Sequence, residues 1–278
     1  MALKDILVHV DHAEISERQL NAAFTVAEAN GAHVIGVHAK AMPFVPDLAA
    51  PAVVGEFMEI QEKYASEAAQ KAEALFNARA SKSSVPSEWR TVSGDPVEQL
   101  ALHGRYVDLV VVGQQNPDVT DVPVLRDVPD RLILSIGRPV MVVPYTGDFS
   151  VIGKNVLVSW DASRLATRAV NDALPLLEGS NQVNVLAINP GKGIGGHGEI
   201  PCADICLHLA RHGVNAEAHS VSASDVDVGD LILSRAADFG ADLIVMGAYG
   251  HRRLRELALG GATRHILNHM TVPVFMSH

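Results

Sequence analysis

The chain has 278 residues, 48% hydrophobic and 19% charged, which supports a sizeable packed core and excludes a disordered chain. A formal net charge of −10 excludes a general nucleic-acid surface, because phosphate backbones need basic stripes. No apolar stretch approaches the ~20 residues of a membrane helix, and the opening MALKDILVHVD carries no signal-peptide pattern, so a soluble cytoplasmic protein is expected.

In chain order, Ile6 to Asp11 (ILVHVD) is a short apolar run ending in Asp. Ser16 to Asn30 follows as a helical stretch, its Ser placed to accept a hydrogen bond from the first-turn amides. A second strand is expected at His33 to His38. Ala41 to Gly55 is a Pro/Ala-rich segment read as a loop, leading into a helix from Glu56 to Ala80. Strands at Glu88 to Ser93, Val107 to Gly113 and Arg138 to Val143 complete the first half.

After a short connector near Tyr145 to Lys154, the same order returns. Val156 to Asp161 (VLVSWD) repeats the opening strand, and Ser163 to Leu177 repeats its helix. Val183 to Ile188, Ala216 to Ser222, Ala241 to Gly247 (ADLIVMG) and Thr271 to Met276 repeat the other strands. With helices between parallel strands and right-handed crossovers, each half reads as a doubly wound α/β domain. The expected domains are 1–148 and 153–278.

In such sheets ligands bind beyond the carboxyl ends of the strands, where the winding reverses. That rule singles out Asp11 and Gly113 in the first half, Asp161 and Gly247 in the second. The second half has the richer sequence there, MGAYGHRRLRELALGGATRHIL from Met246 to Leu267. Two residues separate Gly247 from Gly250, and nine separate Gly250 from Gly260. Glycines let backbone amides approach phosphate oxygens, and a helix starting at Gly261 would present unpaired N–H groups to an anion. Arg252, Arg253, Arg255 and Arg264 add a basic cluster to an otherwise acidic protein. The alternative is a tight turn requiring positive φ, a capping role for Asp161, and a solvated arginine face.

At these residues the sequence resembles the universal stress protein family in its tandem two-domain form, over the whole length of the chain. The resemblance rests on the strand context, the paired first-strand Asp and a G-x2-G-x9-G-[ST] signature met by Gly247, Gly250 and Gly260. It implies two five-stranded parallel sheets of order 3-2-1-4-5, flanked by helices and packed through their last strands, Val140 to Val143 and Val274 to Met276. It also implies an adenine-nucleotide site for ATP, with or without magnesium. Asp161 would contact the adenosine portion and Ile188 would offer backbone groups to adenine. Met246 and Gly247 would flank ribose and phosphates, while Gly250, Gly260, Gly261 and Ala262 would hold phosphates by backbone contacts.

One position departs from the signature: Gly261 stands where Ser or Thr is expected, so a hydroxyl donor is lost, and Thr263 is the nearest replacement. The first half departs further. Gln114, Gln115 and Asn116 follow Gly113, and Pro117 to Pro129 carries three prolines and three aspartates, which remove amide donors and repel phosphate. That half reads as degenerate and nucleotide-free.

Other patterns weigh less. GKGIGGHG at Gly191 to Gly198 lacks the Gly-Lys-[Ser/Thr] ending of a phosphate loop. Cys202, Cys206, His208 and His212 have zinc-ligand types, but on one helix the two His would lie about 240° and 280° round from Cys202, opposite Cys206 at about 40°. His265 and His269 form a further i, i+4 pair. No catalytic triad or carboxylate pair is legible, and His251 and Glu256 are candidates only by nearness to the loop. The expected function is a non-enzymatic, ATP-dependent stress-response regulator, with two chains able to pair again. The rival readings are slow ATP hydrolysis or phosphoryl transfer at the same loop, and a nucleotide-free interaction scaffold.

Overall fold

The computed structural model describes residues 2–11, 16–40, 51–115, 127–191, 200–223, 225–250 and 261–278, with residues 51–53 described by backbone alone. The first half runs β1 (Asp5–His9), α1 (Glu17–Asn30), β2 (His33–Lys40), α2 (Pro51–Ala80), β3 (Ser87–Ser93), α3 (Pro96–Gly104), β4 (Leu109–Gly113), α4 (Val128–Ser135) and β5 (Val140–Val143). The second runs β6 (Asn155–Ser159), α5 (Arg164–Leu177), β7 (Gln182–Ile188), α6 (Ala203–Arg211), β8 (Ala216–Val221), α7 (Val228–Asp238), β9 (Leu243–Gly247), α8 (Gly261–His269) and β10 (Val274–Ser277).

The strands form one ten-stranded sheet in the order β3-β2-β1-β4-β5-β10-β9-β6-β7-β8, so each half carries the order 3-2-1-4-5. Every neighbouring pair is parallel except β5 with β10, which run antiparallel with Val142 opposite Val274 and Val140 opposite Met276. This junction joins the two last strands edge to edge, leaving the half-exposed β3 and β8 as the outer edges.

Continuous apolar strands suit a sheet covered on both faces, because successive side chains enter opposite layers. Ile6 and Val8 join the core beneath α1 and α2, whereas Leu7 joins the core shared with α3 and α4. Val156 and Val158 on one side, with Leu157 on the other, repeat the arrangement.

Several boundaries differ from expectation. The first strands end at His9 and Ser159, so Asp11 and Asp161 lie two residues beyond them, in the turns. Helix α2 starts at Pro51, inside the segment expected to be loop, since Pro is well tolerated in a first helical turn. Ser163 caps α5 by accepting the Ala166 amide (3.1 Å). Ser16 does not cap α1; its hydroxyl instead donates to the Asp11 carboxylate (2.7 Å) and accepts the Asp11 amide (3.2 Å).

A matched pair of aspartates fastens the amino ends of the sheet. Asp108 accepts the Lys4 and Asp5 amides (2.7 and 3.2 Å). Asp242, its counterpart, accepts the Gly153 and Lys154 amides (2.6 and 3.0 Å) with one oxygen and the Asn155 amide (3.1 Å) with the other. These carboxylates fix where each first strand enters the sheet, far from the carboxyl ends. No described helix is long and apolar enough to cross a membrane.

Candidate functional site

The carboxyl ends of β6 and β9 are adjacent, with Ser159 opposite Met246. The winding reverses between them, since β7 and β8 lie to one side and β10 to the other. Two loops meet above this point. After β6 the chain passes through Ala162 in the left-handed region (φ 57°) to reach the Ser163 cap. Asp161 sits in that turn, exposed, with its Oδ1 accepting the Ser163 amide at 3.0 Å.

After β9 the chain passes close over helix α5. A Cβ on Gly247 would lie 2.6 Å from the Ala166 amide nitrogen and 2.6 Å from the Leu165 carbonyl carbon, so only glycine fits there. Gly250 and Gly261 differ in kind. Each is exposed, and among the described residues a Cβ on either would meet nothing within 4 Å. None of these three glycines has positive φ; that strain falls on Tyr249 (φ 58°), a buried aromatic in the left-handed region. The turn therefore does not explain its glycines by backbone conformation. Gly247 is explained by close packing, and Gly250 and Gly261 line open space.

Gly261 opens helix α8, so its amide and the next few face away from any intrahelical partner. Ala262 is half-buried beside it. Thr263 is buried, and its Oγ1 accepts the Tyr249 amide at 3.4 Å, so the hydroxyl expected to replace the lost signature donor is turned toward the loop backbone. Met246 is buried in the sheet with Met276 on its other side. Ile188 ends β7 at the same level of the sheet. Just beyond it Asn189, at φ 49°, clamps the strand end to the chain after β8, donating to the Ala223 carbonyl and accepting its amide (both 2.8 Å).

Asp161, Ile188, Met246, Gly247, Gly250, Gly261, Ala262 and Thr263 thus all sit at the carboxyl side of the second half-sheet. Gly260, His251, Arg252, Arg253, Arg255 and Glu256 lie outside the described residues, as do residues 192–199 of the GKGIGGHG run. The features of this crevice that the sequence did not single out are Ala166, Asn189 and Tyr249. Ala166 could have been found by aligning the two halves from their helix-starting serines.

The equivalent place in the first half is closed. A Cβ on Gly113 would meet the Gln19 amide at 2.0 Å. Assigned by its partners, the Gln19 amide donates to the His9 carbonyl (2.5 Å) and accepts the Gly113 amide (3.2 Å). Gln19 is 2% exposed, so its side chain occupies the crevice between the two strand ends. Gln114 is also buried, donating to the Leu267 carbonyl (2.9 Å) across the junction of the halves and accepting the Tyr145 amide (3.2 Å).

The cysteines and histidines of α6 do not converge. Cys202 precedes the helix at φ 66°, and burial pushes its thiol up to about 12, assisted by the neighbouring Cys206; burial likewise raises Cys206. Among the described residues, the acidic and histidine side chains close enough to share a cation are Asp227, Asp230 and His265, on α7 and α8.

The sequence model of the universal stress protein family matches residues 2–144 and 205–278. The chain belongs to the universal stress protein family. It is 29% identical over 148 residues to a universal stress protein of Synechocystis sp., spanning 52% of this chain and about half (48%) of the length of that relative. Its fold matches the crystal structure of a universal stress protein from Archaeoglobus fulgidus with a TM-score of 0.68, at 18% identity, covering 98% of this chain and 95% of the other. A second match, to a protein from Pseudomonas aeruginosa described as a universal stress protein, has a TM-score of 0.57 at 13% identity and covers 99% and 93%. Both likenesses span the two halves of this universal stress protein together.

Proposed function

We propose that the protein binds an adenine nucleotide, ATP with magnesium as its counter-ion, at the carboxyl end of β6 and β9, and works in the cytoplasm as a nucleotide-dependent regulator in the stress response. The observation that carries this reading is the space that the described residues leave open over Gly250 and Gly261, set beside an exposed Asp161 where the winding reverses. Backbone amides in an unobstructed loop, followed by a helix N-terminus, give a phosphate chain hydrogen-bond donors and positive partial charge without a dedicated cation. Asp161, across the crevice, offers a carboxylate of the kind that accepts hydrogen bonds from ribose hydroxyls. Asn189 holds the end of β7 in place, which keeps the Ile188 backbone at a fixed height for the base.

The first half has no comparable room. Its crevice holds Gln19, and its first-strand Asp11 is bonded to Ser16, so a single site per chain, in the second half, is the expected stoichiometry.

Calorimetric titration of the purified chain with ATP and magnesium tests the reading directly. A single saturable site per chain supports it, and an Asp161→Ala variant should weaken that site while leaving the melting temperature unchanged. Absence of heat, together with no nucleotide co-purifying with the native protein, would sink it.

A further inference from the structure

The loop that carries Gly250 is held from the other half of the molecule. Tyr249 lies between Gly247 and Gly250, and its hydroxyl donates to the carboxylate of Asp130, on α4 of the first half, at 2.6 Å. Its backbone amide is held at the same time by Thr263 of α8 (3.4 Å). The residue therefore has one end fixed to the helix that starts the anion site and the other fixed across the junction.

This double hold matters because of the conformation between the two ends. A tyrosine at φ 58° is disfavoured by contacts of its own Cβ, at a cost on the order of 1–3 kcal/mol, and persists only where its surroundings over-determine it. Buried at 7% exposure, Tyr249 has its ring edge-on to His278 (6.3 Å between centroids), and the His278 ring bonds to the Ala248 carbonyl (3.0 Å). Beside Asp130 the junction holds a cavity of about 110 Å³ lined by Gln114, Gln115, Asp127, Asp130 and Arg264 among others.

The internal repeat shows that this contact is particular to one side. Gly113 to Pro139 and Gly247 to Pro273 have the same length, which places Gln115 opposite Tyr249 and Asp130 opposite Arg264. The counterpart of Tyr249 is thus a glutamine, which has no phenolic hydroxyl to donate and accepts the Asp127 amide of its own half at 3.5 Å.

We propose that Asp130 is a positioning residue for the nucleotide loop of the opposite half: by accepting the Tyr249 hydroxyl it holds that loop in the shape that leaves Gly250 open to a phosphate chain. The half without a site of its own would in this way set the affinity of the other. By linkage, bound nucleotide strengthens the same contact and so reports its presence to the first half. The inference rests on the nucleotide-binding reading above.

Two measurements on the full chain test it. The first is amide hydrogen exchange at residues 248–250 without nucleotide. Tyr249→Phe and Asp130→Ala should both speed exchange there, and unchanged rates would overturn the brace. The second is ATP affinity by calorimetry. Each single variant should bind about fivefold to tenfold more weakly, and the double variant no more weakly than either, since both remove one bond. Asp130→Asn, which keeps an acceptor of the same shape, should recover most of the affinity. Faster exchange with unchanged affinity would overturn the positioning role. If the wild-type chain binds no ATP, the nucleotide reading falls, and the exchange measurement alone decides whether the brace exists.

Discussion

The crevice above β6 and β9 and its counterpart above β1 and β4 are built on the same strand order and the same adjacent first and fourth strands, each with a first-strand aspartate two residues past the strand end. Side chains separate them. Where the first half places Gln19, buried against Gly113, the second places Ala166, and the space filled by an amide is left to the backbone. Asp11 is bonded by its own turn through Ser16, while Asp161 stands exposed with one oxygen on the Ser163 amide. One side chain from a neighbouring helix thus separates the two crevices without any change in strand order.

The sharpest way to break this contrast is to move the plug. Ala166→Gln places in the second half the residue that fills the first. The expected outcome is loss of ATP binding by well over tenfold, with cooperative unfolding retained. Unchanged affinity in the same titration would mean that the crevice is not where nucleotide sits.

Gly247 tests packing instead of binding. Because its missing side chain faces the backbone of α5, Gly247→Ala should destabilise the protein by about 1–3 kcal/mol, as overpacking does, read as a lower midpoint in denaturant. The matching change at Gly250, where a methyl meets nothing, should leave that midpoint within ~1 kcal/mol. Gly261→Ser restores the signature hydroxyl at an exposed helix start. A hydrogen bond to a charged group contributes about 1.5–3 kcal/mol, so ATP affinity should rise roughly tenfold.

The helix pairs behind the two sites differ in a subtler way. Arg131 of α4 forms a bidentate pair with Asp95, which caps α3 (3.1 and 3.3 Å). Its counterpart His265 of α8 lies 2.8 Å from Asp230 and 4.0 Å from Asp227, which caps α7. Replacing His265 by Arg should therefore copy the first-half strap. These carboxylates are exposed, so the gain should stay below ~1 kcal/mol of unfolding free energy.

The architecture was legible because it is written twice. Strands such as LVHV and VLVS are apolar on both faces, and their repetition fixes order and crossovers without any long-range information. The glycine loop was legible from its spacing after a strand, although the role of each glycine was not. Spacing alone does not tell Gly247, pressed on α5, from Gly250 and Gly261, which face open space, because that depends on how closely the helix approaches. Thr263 illustrates the same limit. Its position within the first turn of α8 suggested a replacement for the lost hydroxyl donor, but the side chain is buried with its oxygen on the Tyr249 amide. Gln19, Asp130 and Tyr249 act through contacts between segments far apart in the chain, over which sequence periodicity has no hold.

The contact that joins the two halves can be sharpened by pH. Burial raises the Asp130 carboxyl above its ordinary value, against the opposing pull of the Tyr249 hydrogen bond and Arg264. Burial also raises the Tyr249 hydroxyl, with the Asp130 hydrogen bond adding to it. A carboxyl raised on folding binds its proton more tightly in the native state. Its contribution is therefore complete below the ordinary value near pH 4 and is lost as pH rises through the folded value. At neutral pH the ionised, partly desolvated Asp130 is a cost that the Tyr249 hydroxyl offsets. Asp130→Asn should accordingly melt at the wild-type temperature or slightly above it at pH 7, and fall behind wild type as pH drops toward 4. Thermal melts of the two proteins across that range decide the matter. A difference between them that is independent of pH would mean that Asp130 is solvated at the junction, and that the tyrosine holds no buried charge.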